Sequence, residues 1–174
     1  WNDETPLKSR YPNSDYSYPL ERKLDYIYKF VKGEKFELSE YDENEIDDWE
    51  YRYSLETKYA FIMKKVKEIE FLVWDNPFVD KGNNVNINWQ EWIETKLGFL
   101  IYVAKLKLKL HNNSANVEFS AVEVGYLAGL TSSAIIQKIN NSKITAHKSN
   151  KHWVIDQKEV CRFLKSRDDG ILNI

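Results

Sequence analysis

Phe119-Ser120-Ala121-Val122-Glu123-Val124-Gly125-Tyr126-Leu127-Ala128-Gly129-Leu130-Thr131-Ser132 is the stretch on which the fold turns. Ser120, with Glu123 three positions later, forms the capping-box pattern that opens a helix. Val122, Tyr126 and Leu127 are then expected to face inward. Gly129 can take a positive φ and end that helix, and Thr131 can cap the next one. The second helix is expected over Ser132 to Asn140, with Ile135 and Ile139 buried and Ile136 partly covered. Helix, short glycine-containing turn, Thr cap, helix is the grammar of a helix-turn-helix, whose second helix is the one that enters a major groove.

Two β-prone runs follow, Lys143-Ile144-Thr145-Ala146-His147-Lys148 and Lys151-His152-Trp153-Val154-Ile155, around Ser149-Asn150. They read as a hairpin. Asp156 is placed to cap a last helix that carries Val160, Phe163 and Leu164 at core spacing. The order is helix, helix, hairpin, helix.

This ordered set resembles the excisionase-type and MerR-like winged helix-turn-helix family. The matching residues are Phe119-Ser120 with Glu123-Val124, Leu127 through Thr131, Ile135 with Ile139, Trp153-Val154-Ile155, and Asp156 through Val160 to Phe163-Leu164. It covers about a quarter of the chain. The resemblance implies double-stranded DNA as partner, with helix Ser132–Asn140 in the major groove and the hairpin, or wing, on phosphate or minor groove. Excisionase-like relatives imply transcription control or a mobile element as the setting. One departure stands out: recognition helices of this family often carry Arg, whereas here Ser132, Ser133, Gln137 and Lys138 are the candidates. Gln can pair bidentately with adenine, so guanine readout is expected to be the weaker. The expected contact set is Thr131, Ser132, Ser133, Gln137 and Lys138 from the helix side. Lys143, His147, Lys148, Asn150, Lys151 and His152 complete it from the wing.

Charge agrees with that division. The 174 residues carry 25 Lys+Arg against 27 Asp+Glu, a net −2 that by itself argues against a nucleic-acid partner. Residues 1–113 hold 17 basic and 21 acidic residues, whereas residues 114–167 hold 8 and 4, with Asp168 and Asp169 beyond. An uneven distribution of this kind suggests two modules with different partners. The boundary is expected at the polar run His111 to Asn116.

The first module is expected to be helical. An irregular arm is read over 1–18. A helix from Pro19 then carries Leu24, Ile27, Tyr28 and Val31 and stops at Gly33. Past an acidic connector (Glu34 to Glu45), a long helix from about Ile46 to Trp74 carries Tyr59, Ile62, Met63, Val66, Ile69 and Val73 on one stripe, with Lys64, Lys65, Lys67 and Glu68 off it. A turn over Asp80 to Asn84 precedes a third helix capped by Asn88. Lys105-Leu106-Lys107-Leu108-Lys109-Leu110 alternates like a strand, but Ile101, Ala104, Leu108 and His111 share a helical face, and helix is the reading taken. The fold class is therefore mainly α: an N-terminal module of about three helices over 19–113, and a C-terminal winged helix-turn-helix with a short hairpin over 117–167.

With 6 Trp, 11 Tyr and 8 Phe the chain can build a core and is no disordered tract. Phe119, Tyr126, Trp153 and Phe163 are assigned to the smaller core. The other aromatics, Trp49, Tyr51, Tyr53, Trp74, Trp89 and Trp92 among them, are core by default, or in part a surface for a homodimer through the helical module. Cys161 is the sole cysteine, and Trp1-Asn2-Asp3-Glu4 lacks a signal-peptide pattern, so a cytoplasmic setting is expected. No run reaches a membrane span. His111, His147, His152 and Cys161 lack metal-ligand spacing, so no zinc is expected. Asp80 with Glu94-Thr95-Lys96, and Glu56-Thr57-Lys58, superficially match a metal-dependent nuclease pattern but fall in helical stretches. No enzyme and no cofactor is therefore expected. A protein-interaction adaptor with a structural winged helix is the alternative to DNA binding.

Overall fold

The computed structural model describes residues 19–38, 57–75, 88–112 and 117–167. The expected arm, the helix portion before residue 57, the turn at 80–84, and Trp49, Tyr51, Tyr53 and Asp80 lie outside them. The elements in chain order are α1 (Pro19–Lys32), α2 (Thr57–Glu70), α3 (Trp89–Glu94), α4 (Lys96–Leu110), β1 (Glu118–Ser120), α5 (Ala121–Ala128), α6 (Ser132–Asn140), β2 (His147–Ser149), β3 (His152–Asp156) and α7 (Gln157–Lys165). The chain is mainly α, with a small antiparallel sheet near its C-terminal end. The strand order is β1-β3-β2, with Phe119 opposite Ile155 and Lys148 opposite Trp153.

Two cores meet at α4. The first gathers Ile27, Phe30 and Val31 of α1, Phe61, Ile62, Val66 and Ile69 of α2, and Ile101, Ala104 and Leu108 of α4. The second gathers Leu106 and Leu110 of α4, Phe119, Val124 and Leu127, Ile135 and Ile139, Ile155, and Val160, Phe163 and Leu164. Each buried Leu or Ile contributes about 1.5–3 kcal/mol, so α4 is held from both sides. This accounts for its strand-like alternation: Leu106 and Leu110 are one helical turn apart on one face, and Leu108 belongs to the other. The lysines between them are all engaged. Lys105 Nζ donates to Glu70 Oε1 at 2.8 Å, and Lys109 Nζ to Glu123 Oε1 at 2.6 Å. Lys107 is 2% exposed, and its Nζ donates to the carbonyls of Phe30 and Val31 at 3.1 and 3.2 Å. The polar run after α4 thus follows a helix that serves both cores. Gln157 ties that end to α7, donating to the Leu110 and Asn112 carbonyls.

Several details differ from the sequence reading. The third helix is two, broken at Thr95, which is extended and caps α4 by accepting from Gly98 N. α2 ends in one π turn, Phe71–Asp75. Tyr28 is 47% exposed beneath the Lys32 ammonium, and Phe30 fills the core instead. Lys65 is buried, its stem over the core and its ammonium 4.8 Å from the Phe61 ring. Val122 is 50% exposed, because the capping box turns Ala121, Val124 and Leu127 inward. β1 was not foreseen. In the hairpin only His147–Ser149 forms the first strand. Its turn is Asn150-Lys151, both at positive φ (47° and 71°), one position later than expected. Asp156 stands at the N-cap of α7 but makes no side-chain cap hydrogen bond. The other caps match: Asn88 accepts from Gln90 N, Ser120 and Glu123 form the full capping box, Gly129 sits at φ 62°, and Thr131 accepts from Ala134 N. Removing the Ser120 hydroxyl (Ser120→Ala) is expected to cost about 1 kcal/mol of stability, read by urea unfolding.

Candidate nucleic-acid interface

α6 leaves a three-residue turn after α5 and buries Ile135 and Ile139. At 100° per residue the opposite face falls on positions 133, 137 and 140. Ser133, Gln137 and Asn140 are all exposed and form an uncharged polar row. Asn140 was missed in the sequence reading, although the spacing 133, 137, 140 marks it. The other expected contacts on this side lie off that row. Ser132 is half-buried, and Lys138 lies on the flank with its Nζ 5.8 Å above the Phe163 ring. Thr131 is exposed, and its hydroxyl oxygen is engaged in the cap.

The wing presents cations. Lys143, His147, Lys148, Asn150, Lys151 and His152 are all exposed. Lys148 Nζ lies 5.0 Å above the ring of its cross-strand neighbour Trp153, a half-buried residue against the second core. His147 Nε2 is 3.7 Å from Glu118 Oε1, with both side chains more than half exposed. Three of the segment's four carboxylates face a basic group: Glu118 this histidine, Glu123 Lys109, and Glu159 Arg162 at 2.5 Å. Among the described residues no ion pair involves Lys143, Lys148, Lys151, Lys158 or Lys165. The local positive balance therefore sits on the wing and on α7. Arg162 is directed elsewhere, toward Glu159 and the Lys143 carbonyl. Its guanidinium holds the Glu159 carboxyl below the usual range.

The histidines, the cysteine and the Glu-x-Lys residues are dispersed. His111 stacks on Tyr59 at 4.4 Å, far in sequence from the hairpin histidines. Cys161 is half-buried against the second core, and burial pushes its thiol pKa up. Among the described residues no three His, Cys, Asp or Glu side chains are grouped to hold a metal. Glu94 and Lys96 are both exposed and flank the helix break at Thr95. Among the same residues no helix is long and apolar enough to cross a membrane. No protein-family model, curated protein or solved structure matches the chain.

Proposed function

We propose that this chain binds double-stranded DNA with sequence selectivity through a winged helix-turn-helix, as a transcriptional or mobile-element regulator. The observation that carries the reading is one assembly. Two helices joined by a three-residue turn present the outward polar row of α6, and an exposed lysine-bearing hairpin follows it in the chain. Glutamine and asparagine reach adenine edges in a major groove, and wing lysines neutralise phosphates. A homodimer belongs to the reading. Trp89, Tyr102, Tyr126 and Phe99 form a contiguous ring series over α3, α4 and α5, with Trp89 and Phe99 more than 40% exposed. Aromatic patches of that kind suit an interface, and two copies would read two half-sites.

The test is titration of duplex DNA over a salt series. Binding is expected at low salt and should weaken steeply as salt rises; no binding at low salt overturns the reading. Lys148→Ala and Lys151→Ala should each weaken binding to all sequences alike and lower the salt slope by about 0.9. Gln137→Ala should relax preference at one base position by about tenfold and leave the slope unchanged. Selection of bound sites from a random duplex pool gives the target, and a palindrome would report the dimer.

A further inference from the structure

The segment between α6 and the wing is anchored more heavily than a connector needs to be. Lys143 N donates to the Lys138 carbonyl at 2.8 Å, which ties the segment to the end of α6. Ile144 is 2% exposed, inserted in the second core. On either side of it α7 takes hold of the backbone. Arg162 Nη2 donates to the Lys143 carbonyl at 3.0 Å, and Thr145 N donates to Glu159 Oε1 at 2.7 Å. Glu159 and Arg162 are joined by two hydrogen bonds, at 2.5 and 2.7 Å. β2 begins two residues later, at His147. Glu159 stands three residues past the N-cap of α7, where a capping-box carboxylate would turn back to its own helix; here it reaches across to the segment.

We propose that Glu159 and Arg162 are positioning residues, which set the wing at a fixed attitude to α6 so that both can engage one duplex. This rests on the DNA-binding reading. A surface ion pair three residues apart on a helix contributes little by itself. Each partner here adds a hydrogen bond to the backbone of another segment, so the pair acts by placement. The Arg162 fork serves Glu159 and a carbonyl at once, which an ammonium cannot reproduce with the same geometry.

Placement and simple electrostatics make opposite forecasts. Removing an anion from a DNA-binding surface should tighten binding, yet Glu159→Ala is expected to weaken it about tenfold, with the salt slope unchanged. Arg162→Gln and Arg162→Lys should each weaken it several-fold, again at constant slope. Arg162 is exposed but the Glu159 side chain is only 13% exposed, so Glu159→Ala is expected to melt several degrees below the parent and the Arg162 variants nearer to it, all of them folded at 25 °C. Amide hydrogen exchange on the full chain without DNA supplies the second readout: Thr145 N–H should exchange at least about tenfold faster in Glu159→Ala. Tighter or unchanged DNA binding by Glu159→Ala overturns the proposal. So does a slope reduced by about 0.9 in Arg162→Gln, which would make Arg162 a phosphate contact, or an Arg162→Lys variant that binds like the parent. A parent chain that binds no duplex overturns the DNA reading instead, and Thr145 exchange then still decides whether the clamp holds the segment.

Discussion

Gly98→Ala is expected to destabilise the chain by about 3 kcal/mol, the upper end of the range for a carbon added to a packed site. A Cβ on Gly98 would stand 1.9 Å from the Trp92 carbonyl oxygen, 2.6 Å from its carbonyl carbon and 2.9 Å from the Trp92 ring. Two of those three atoms are backbone and have no rotamer with which to yield. They are also held in place, because Thr95 N and Thr95 Oγ1 both donate to the Trp92 carbonyl, at 3.0 and 2.7 Å. Relief requires opening the break between α3 and α4. Opening it pulls Trp92 and Ile93, 8% and 5% exposed, away from their contacts. A buried Trp and Ile together can exceed the gain in helix propensity from glycine to alanine, which is about 1 kcal/mol. Urea unfolding followed by tryptophan fluorescence measures the loss, and a drop of about 10 °C in melting temperature should accompany it. Thr95→Ala, which removes the cap and adds no clash, is the comparator and should cost only about 1 kcal/mol. A Gly98→Ala chain within 1 kcal/mol of the parent would mean that the two helices do not meet at Thr95 as described.

That break marks a limit of sequence reading. Thr95, with Gly98 three residues on, is an N-cap signal, but it lies inside an apolar run that satisfies helical spacing from Trp89 to Leu110. Periodicity alone cannot distinguish one helix from two that share a face. Where a local hydrogen bond defines an element, the chain was readable to the residue: Ser120 with Glu123, Gly129 and Thr131 place α5 and α6 at their observed bounds. Where tertiary contact decides, it was not. β1 is three residues long and exists because Phe119 pairs with Ile155, a partner 36 positions away that no local pattern announces. Val122 is apolar and therefore expected inward, but a cap at Ser120 turns positions 121, 124 and 127 to the core and leaves Val122 50% exposed. The hairpin turn falls one residue later than the two β-prone runs predict, because Lys151, an unusual occupant of a positive-φ position, forms its second half. Among the candidate contacts on α6, Ser133 and Gln137 lie on the outward row that helical spacing defines, whereas Ser132 and Lys138 lie off it and Asn140 completes it. The brace formed by Glu159 and Arg162 does not follow from spacing, because its partners are backbone groups 14 and 19 positions away.

The sharing of α4 between the cores carries a second large effect, through Lys107, the α4 lysine buried against the end of α1. Burial pushes the pKa of Lys107 down to about 8 from the ordinary 10.5, and the nearby Lys58 charge pushes the same way. Desolvation opposes the charged form, while the two carbonyls at the end of α1 can accept from an amine in either state. Between pH 8 and 10.5 the unfolded chain therefore holds more proton at this site than the folded one. Stability must rise with pH across that window, and below pH 8 the penalty is constant. The full swing is about 3 kcal/mol, from 1.36 kcal/mol per pKa unit. Other lysines and tyrosines titrate in the same range, so the measurable quantity is a difference. Lys107→Met keeps the length of the stem and cannot titrate. Its stability relative to the parent, from urea unfolding at pH 7.5, 9 and 10.5, should decline by about 3 kcal/mol as the parent loses its buried charge. A difference that stays flat with pH would mean that Lys107 keeps an ordinary pKa in the folded chain. The contact between α4 and the end of α1 would then be wetter than the packing around α4 requires. A falling difference would place a charged lysine, at neutral pH, where α1 joins the helix that also supports the second core. The two cores would then be coupled through a group whose protonation weakens that joint, and α1 should be the first element to loosen as the pH drops from 10.5 to 8.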